Sequence, residues 1–73
     1  MKRDISVKFG NKVRKERLKR NLSQEKFAEI ISVRRTYIGM IERAEKNITL
    51  INIEKIVNAL GITLSDLFEF NKD

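Results

Sequence analysis

Two short stretches, "LSQEKF" at 22–27 and "ITLSDL" at 62–67, limit what this chain can fold into more than any other feature. Each sets an apolar residue before a hydroxyl residue, with a second apolar residue four positions further on. That is a helix start: the hydroxyl of Ser23 or Thr63 accepts one of the amides the first turn leaves unpaired. Leu22 can then staple onto Phe27, and Ile62 onto Leu67, while Asp66 can return as a capping-box acid. Thr49 offers the same cap to "LINIEKIVNAL". Stop signals match the starts, because Asn21 and Gly61 both tolerate the left-handed conformation that closes helices. The chain is thereby cut into short helices. The first runs from about Ser6 to Arg20 with a stripe of Phe9, Val13 and Leu18. The second buries Phe27, Ala28 and Ile31, and the third, within 33–43, buries Ile38 and Ile41. The fourth has a seam of Leu50, Ile53, Val57 and Leu60, and a fifth begins after Thr63. No stretch alternates with period two, so no strand is expected. The fold class is all-α, with five short helices.

The core must hold these helices unaided. With 73 residues the chain is one small domain, 1–73, near the lower limit for a self-sufficient core. There is no cysteine and no histidine, which removes disulfides, thiolate metal sites, the commonest metal ligand and the usual general base. No nucleophile–base pair, metal constellation or glycine-rich phosphate loop can be assembled, so neither enzyme activity nor a metal or cofactor is expected. No apolar run approaches the ~20 residues of a membrane span, and the N-terminus has no signal-peptide core. An intracellular, cytoplasmic protein without a membrane partner is the expectation.

Charge points to a partner. Sixteen lysines and arginines against ten acids leave a net charge of +6. From Lys8 to Arg20 almost every polar position is basic, whereas 65–73 is mildly acidic. A polyanion fits this map, a phosphate backbone better than a membrane surface. The second and third helices are separated only by Ser32 and Val33, and Ala28 is small where two helices must approach closely. This is a helix-turn-helix, about 23–43, whose second helix offers its N-terminal residues to the major groove of double-stranded DNA. Arg34, Arg35, Thr36, Tyr37 and Met40 lie off the apolar stripe and face outward. Arg35 suits guanine, since a guanidinium matches the O6 and N7 acceptors together. Thr36 can meet a thymine methyl or a phosphate, or serve only the first turn. Tyr37 can reach a phosphate or pack on Phe27, and the arginines can be no more than a solvated face. Gln24, at a helix N-terminus, is placed for a phosphate or a base edge. Lys46 and Asn47 follow the recognition helix and can touch the DNA backbone or form an ordinary polar loop. Arg43 can contact DNA or complement the end of its own helix.

One recognition helix reads few base pairs, and two half-sites about one turn apart are the usual remedy. Ile51, on the far side of the fourth helix, and Phe68 and Phe70 near the end of the chain exceed what one small core buries. They are the candidate interface of a homodimer.

The stretches "VRKERLKRNLSQEKFA", "YIGMIER" and "LGITLSDLF", in that order from Val13 to Phe68, resemble the Cro/C1-type (Xre) helix-turn-helix family. Within it, "RRTYIGMIERAEKNITL" most resembles the controller proteins of restriction–modification systems. The resemblance implies a lambda-repressor-like domain whose second and third helices meet DNA, and a structural salt bridge between Arg17 and Glu42. It further implies a dimeric transcription regulator on a pseudo-palindromic operator, repressing or activating according to its place relative to RNA polymerase. A phage-type repressor or the antitoxin of a toxin–antitoxin pair is the alternative within the class. A non-specific basic binder of RNA or membrane surface is the alternative outside it, although an RNA module more typically carries stacking aromatics on strands. The chain departs from the family twice. Ser32 stands where glycine is usual in the turn, a cost of about 1 kcal/mol if its φ is positive. Ala44 stands where glycine often follows the "ER" pair, which leaves the path of the loop 44–48 open.

Overall fold

The computed structural model describes residues 4–70. They form α1 (Asp4–Lys19), α2 (Gln24–Ile31), α3 (Arg35–Glu42), α4 (Leu50–Leu60) and α5 (Leu64–Leu67), with no strand among the described residues. None of these helices is long and apolar enough to cross a membrane.

Cap chemistry sets most of the boundaries. Ser23 Oγ accepts the Lys26 amide at 3.0 Å and Thr49 Oγ1 the Asn52 amide at 3.2 Å. At α5, Thr63 Oγ1 accepts from the Asp66 amide while Asp66 Oδ2 accepts from the Thr63 amide, a complete capping box. The exits are equally regular. Asn21, Ser32, Ala44 and Gly61, each just past one of the first four helices, have φ of 57°, 59°, 61° and 69°. Only the last is a glycine, so three of the four turns use a conformation that a Cβ disfavours. The left-handed Ala44 also defines the start of the loop 44–48: it turns the chain so that the Glu45 amide reaches back to the Met40 carbonyl at 2.8 Å.

Each helix sends one large side chain to full burial: Val13, Phe27, Ile38, Ile56 and Leu67. Leu22 and Ile62, expected as staples, pack on this core from the loops before α2 and α5. Two expected core residues lie outside it. Leu18 is 46% exposed, because five residues beyond Val13 a helix has turned about 140° away; Glu16 and Arg17 take the inner face. Leu50 is 84% exposed. The buried seam of α4 is Ile53, Ile56, Val57 and Leu60, the i, i+3, i+4, i+7 face, and Ile48 from the loop packs on the core ahead of it.

The helix-turn-helix pair α2–α3 is held from below by α1 and α4, α3 resting on α1 and α2 on α4. Two features set the α1–α3 contact. A Cβ on Gly10 would lie 2.5 Å from the Ile41 carbonyl oxygen and 2.7 Å from that of Glu42, so only glycine permits this approach. Seven residues on, Arg17 meets Glu42 in a fork: Nε to Oε2 at 2.7 Å and Nη2 to Oε1 at 3.1 Å. Its third nitrogen, Nη1, donates to the Leu22 carbonyl at 2.7 Å, and Gln24 Nε2 donates to Glu42 Oε1 at 3.1 Å. Both charged side chains are buried, and no buried side-chain nitrogen or oxygen among the described residues lacks a partner.

A second basic cluster joins α1 to the end of α4. Arg20 donates from Nε and Nη2 to the Leu60 carbonyl at 3.1 and 2.9 Å, and from Nη1 to Glu16 Oε1 at 2.9 Å. Burial by itself would push the Glu16 carboxyl up. Hydrogen bonds from Arg20 and Lys19, with the charges of Lys19 and Lys12, outweigh it and hold the carboxyl below its usual range. Lys12 and Arg17 of α1 are thus buried beside carboxylates, while Lys8, Arg14, Lys15 and Lys19 remain exposed.

Two stability changes follow. Arg17→Ala leaves a buried carboxylate without its partner and should remove roughly 3–5 kcal/mol, a large part of a small domain's stability, in urea or thermal unfolding followed by circular dichroism. Ala44→Gly relieves the left-handed strain at little cost elsewhere. It should raise stability by about 0.5–1 kcal/mol, visible as a melting temperature several degrees higher.

Candidate nucleic-acid interface

Helix α3 is too short to bury more than one face. Ile38, Gly39, Ile41 and Glu42 point inward; Arg35, Thr36 and Met40 point out and Tyr37 lies half-buried between. Arg34 occupies the N-cap with an extended backbone, and its side chain makes no cap hydrogen bond, so the helix begins with an exposed guanidinium and open amides. The inward residues are those that contact α1 and α2, so the outward set is carried on a rigid mount.

The loop after α3 brings Lys46 back to this face. Val33, Arg34, Thr36, Tyr37, Met40 and Lys46 line one shallow depression of about 300 Å³. The sequence suggested Lys46 only as a neighbour in the chain; the left-handed turn at Ala44 makes it a neighbour in space. Asn47 goes elsewhere, lining with Lys46 an adjacent apolar groove that includes Phe9, Ile48 and Phe68.

Three other residues have commitments within the protein. Gln24, at the start of α2, gives its amide nitrogen to Glu42 and so belongs to the Arg17 network. Arg43, at the end of α3, forks onto Glu45, with Nε–Oε2 and Nη2–Oε1 both 3.1 Å. Those hydrogen bonds, then the charge of Glu45, hold the exposed Arg43 guanidinium above its usual pKa. Tyr37 accepts a hydrogen bond on its hydroxyl oxygen from Asn52 Nδ2 at 2.9 Å. Sequence reasoning missed Glu45 and Asn52. A carboxylate two residues past an arginine was a signal for the first; nothing in a linear reading places Asn52 of α4 beside Tyr37 of α3.

The residues expected at a dimer interface have different surroundings. Leu50 and Ile51, at the start of α4, and Leu64, on α5, are 84%, 68% and 55% exposed and border one groove of about 590 Å³. Phe68, whose amide donates to the Leu64 carbonyl at 3.1 Å, has its ring 5.3 Å from that of Phe9 on α1 and 5.9 Å from that of Phe70. Phe70 packs on the protein's own core. Of the three residues grouped from the sequence, Ile51 shares its groove with Leu50 and Leu64.

Comparison with known proteins agrees with this geometry. The family model described as helix-turn-helix matches residues 13–67. Control protein C.MunI from a Mycoplasma species is 53% identical over 66 residues, covering 89% of each chain. Control protein C.BamHI from Bacillus amyloliquefaciens is 51% identical over 71 residues, 96% of this chain and 88% of that one. Among solved structures, the restriction-modification controller protein C.AhdI from Aeromonas hydrophila superposes with a TM-score of 0.82 at 40% identity, over 85% of this chain and 94% of that one. The wild-type controller protein C.Esp1396I gives 0.85 at 30% identity, over 94% and 88%. The chain belongs to the Cro/C1-type helix-turn-helix family, among the relatives of restriction–modification controller proteins.

Proposed function

We propose that this chain is a sequence-specific DNA-binding transcription regulator of the controller type, acting as a homodimer on a pseudo-palindromic operator. The observation that carries the reading is the outward face of α3: Arg34, Arg35, Thr36 and Met40, with Tyr37 at its edge and Lys46 returned to the same depression. Guanidinium, hydroxyl and thioether groups on the first turns of a helix are what major-groove edges require, and Lys46 is set for the phosphate backbone. The relatives named as control proteins support the regulatory role. Bound beside a promoter, such a dimer represses by excluding RNA polymerase or activates by touching it.

Selection from a random-sequence duplex library tests the reading. The enriched sites should contain two inverted half-sites spaced by about one helical turn. Enrichment of a single half-site, or of no sequence at all, would count against it.

On the enriched duplex, Arg35→Ala should lose on the order of 1–3 kcal/mol of discrimination at one base pair per half-site. Lys46→Ala should instead weaken all duplexes alike and reduce the salt dependence of binding by about one counterion per protomer. Competition binding at several salt concentrations separates the two effects. An Arg35→Ala protein with unchanged sequence preference would rule out this placement of the recognition helix.

The dimer is assigned to the exposed apolar groove around Ile51. A two-fold axis there doubles every contact, and each buried side chain of this size contributes roughly 1.5–3 kcal/mol. Ile51→Asp should therefore give a monomer in analytical ultracentrifugation at concentrations where the wild type is dimeric. Its helical circular dichroism should be retained, because the side chain is 68% exposed and outside the core. DNA affinity should collapse with the dimer.

A further inference from the structure

Asn52 lies in the first turn of α4, and its position is doubly determined. Its amide is taken by the Thr49 cap, and its side-chain nitrogen crosses to the Tyr37 hydroxyl on α3 at 2.9 Å. The recognition helix packs mainly on α1 and α2, so this hydrogen bond gives it a direct tie to α4.

The polarity of that bond matters. A phenol has one proton to donate and lone pairs to accept with. Because Asn52 donates, it occupies a lone pair and leaves the Tyr37 proton uncommitted toward it. Tyr37 lines the depression that also holds Arg34, Thr36 and Lys46, where an anion is favoured. A phosphate oxygen is an acceptor only; a phenol whose proton was consumed inside the protein would meet it with lone pairs. We propose that Asn52 is a positioning residue that holds the Tyr37 hydroxyl as a hydrogen-bond donor to a phosphate oxygen of bound DNA. The inference rests on the DNA-binding reading above and adds to it a residue outside the helix-turn-helix.

A double-mutant cycle tests it, using the duplex that the wild-type protein enriches from a random library. The variants are Tyr37→Phe, Asn52→Ala and the pair, with Asn52→Leu alongside as a variant that keeps the branched outline of the side chain without its hydrogen-bonding groups. Tyr37→Phe and Asn52→Ala should each weaken binding by roughly three- to tenfold, the range of one hydrogen bond. The double variant should bind no worse than Tyr37→Phe alone. Neither should alter the slope of affinity against salt, since a neutral donor displaces no counterion. The chain has one tyrosine and no tryptophan, so its intrinsic emission follows Tyr37 alone and should change on binding DNA.

If the Asn52 substitutions cost as much in the Tyr37→Phe background as in the wild type, Asn52 acts on DNA by another route and the proposal fails. It fails equally if both Asn52 variants bind normally while Tyr37→Phe is impaired. Tyr37→Phe binding normally while Arg35→Ala loses its preference would overturn the proposal and leave the DNA-binding reading standing. Enrichment of no duplex would overturn both.

Discussion

The buried fork between Arg17 and Glu42 is the contact on which the presentation of α3 depends. A guanidinium and a carboxylate removed from water together are costly unless their nitrogen and oxygen atoms find partners. Here they are met by each other, by the Leu22 carbonyl and by Gln24, so one network ties α1, the α1–α2 loop, α2 and α3. Bidentate geometry fixes angles as well as distance, which a lysine could not do. At the other end of the same contact, Gly10 lets the α1 backbone touch the last carbonyls of α3. With one side chain deleted at Gly10 and one ion pair fully partnered at Arg17, α3 has little freedom to rotate. A recognition surface needs that rigidity, because a groove contact is made or lost within a fraction of an ångström.

Charge in this protein is divided by purpose. Lys12, Glu16 and Arg17 on α1, with Arg20 just past its end, are engaged with one another or with α3 and α4. Lys12, Arg17 and Arg20 are therefore architectural, while Lys8, Arg14, Lys15 and Lys19 of the same basic run are exposed. What faces out near α3 is a smaller set, Arg34, Arg35 and Lys46, with Arg43 partly neutralised by Glu45. Exposed cations on one helix and the loop that follows it favour register on a duplex over diffuse adhesion.

A domain of this size cannot bury all its apolar surface. It leaves Leu50, Ile51 and Leu64 exposed around one groove, while Phe70 packs on the core and Phe68, 39% exposed, adjoins the rings of Phe9 and Phe70. Leu50 illustrates the distinction: its spacing fits the seam of α4, yet it stands at the first residue of the helix, where Ile48 already covers the core. An apolar residue at helical spacing is thus a core residue only if the neighbouring elements extend far enough to cover it. The same residue uncovered becomes available to a second copy of the chain.

Local chemistry was legible in the sequence because it acts over four or five residues. The caps at Ser23, Thr49 and Thr63, the left-handed stops at Asn21 and Gly61, and the buried faces of α2 and α3 all followed from spacing and side-chain type. The pairing of Arg17 with Glu42, 25 residues apart, came only from resemblance to a family, since no local rule joins them. The structure alone decided that Gly10 is a contact point, that Lys46 returns to α3 while Asn47 turns away, that Leu18 and Leu50 stay wet, and that Asn52 reaches Tyr37. The physical reason is common to all of these. A helix's own residues determine which face is apolar, but which point on that face meets which partner depends on how five helices cross.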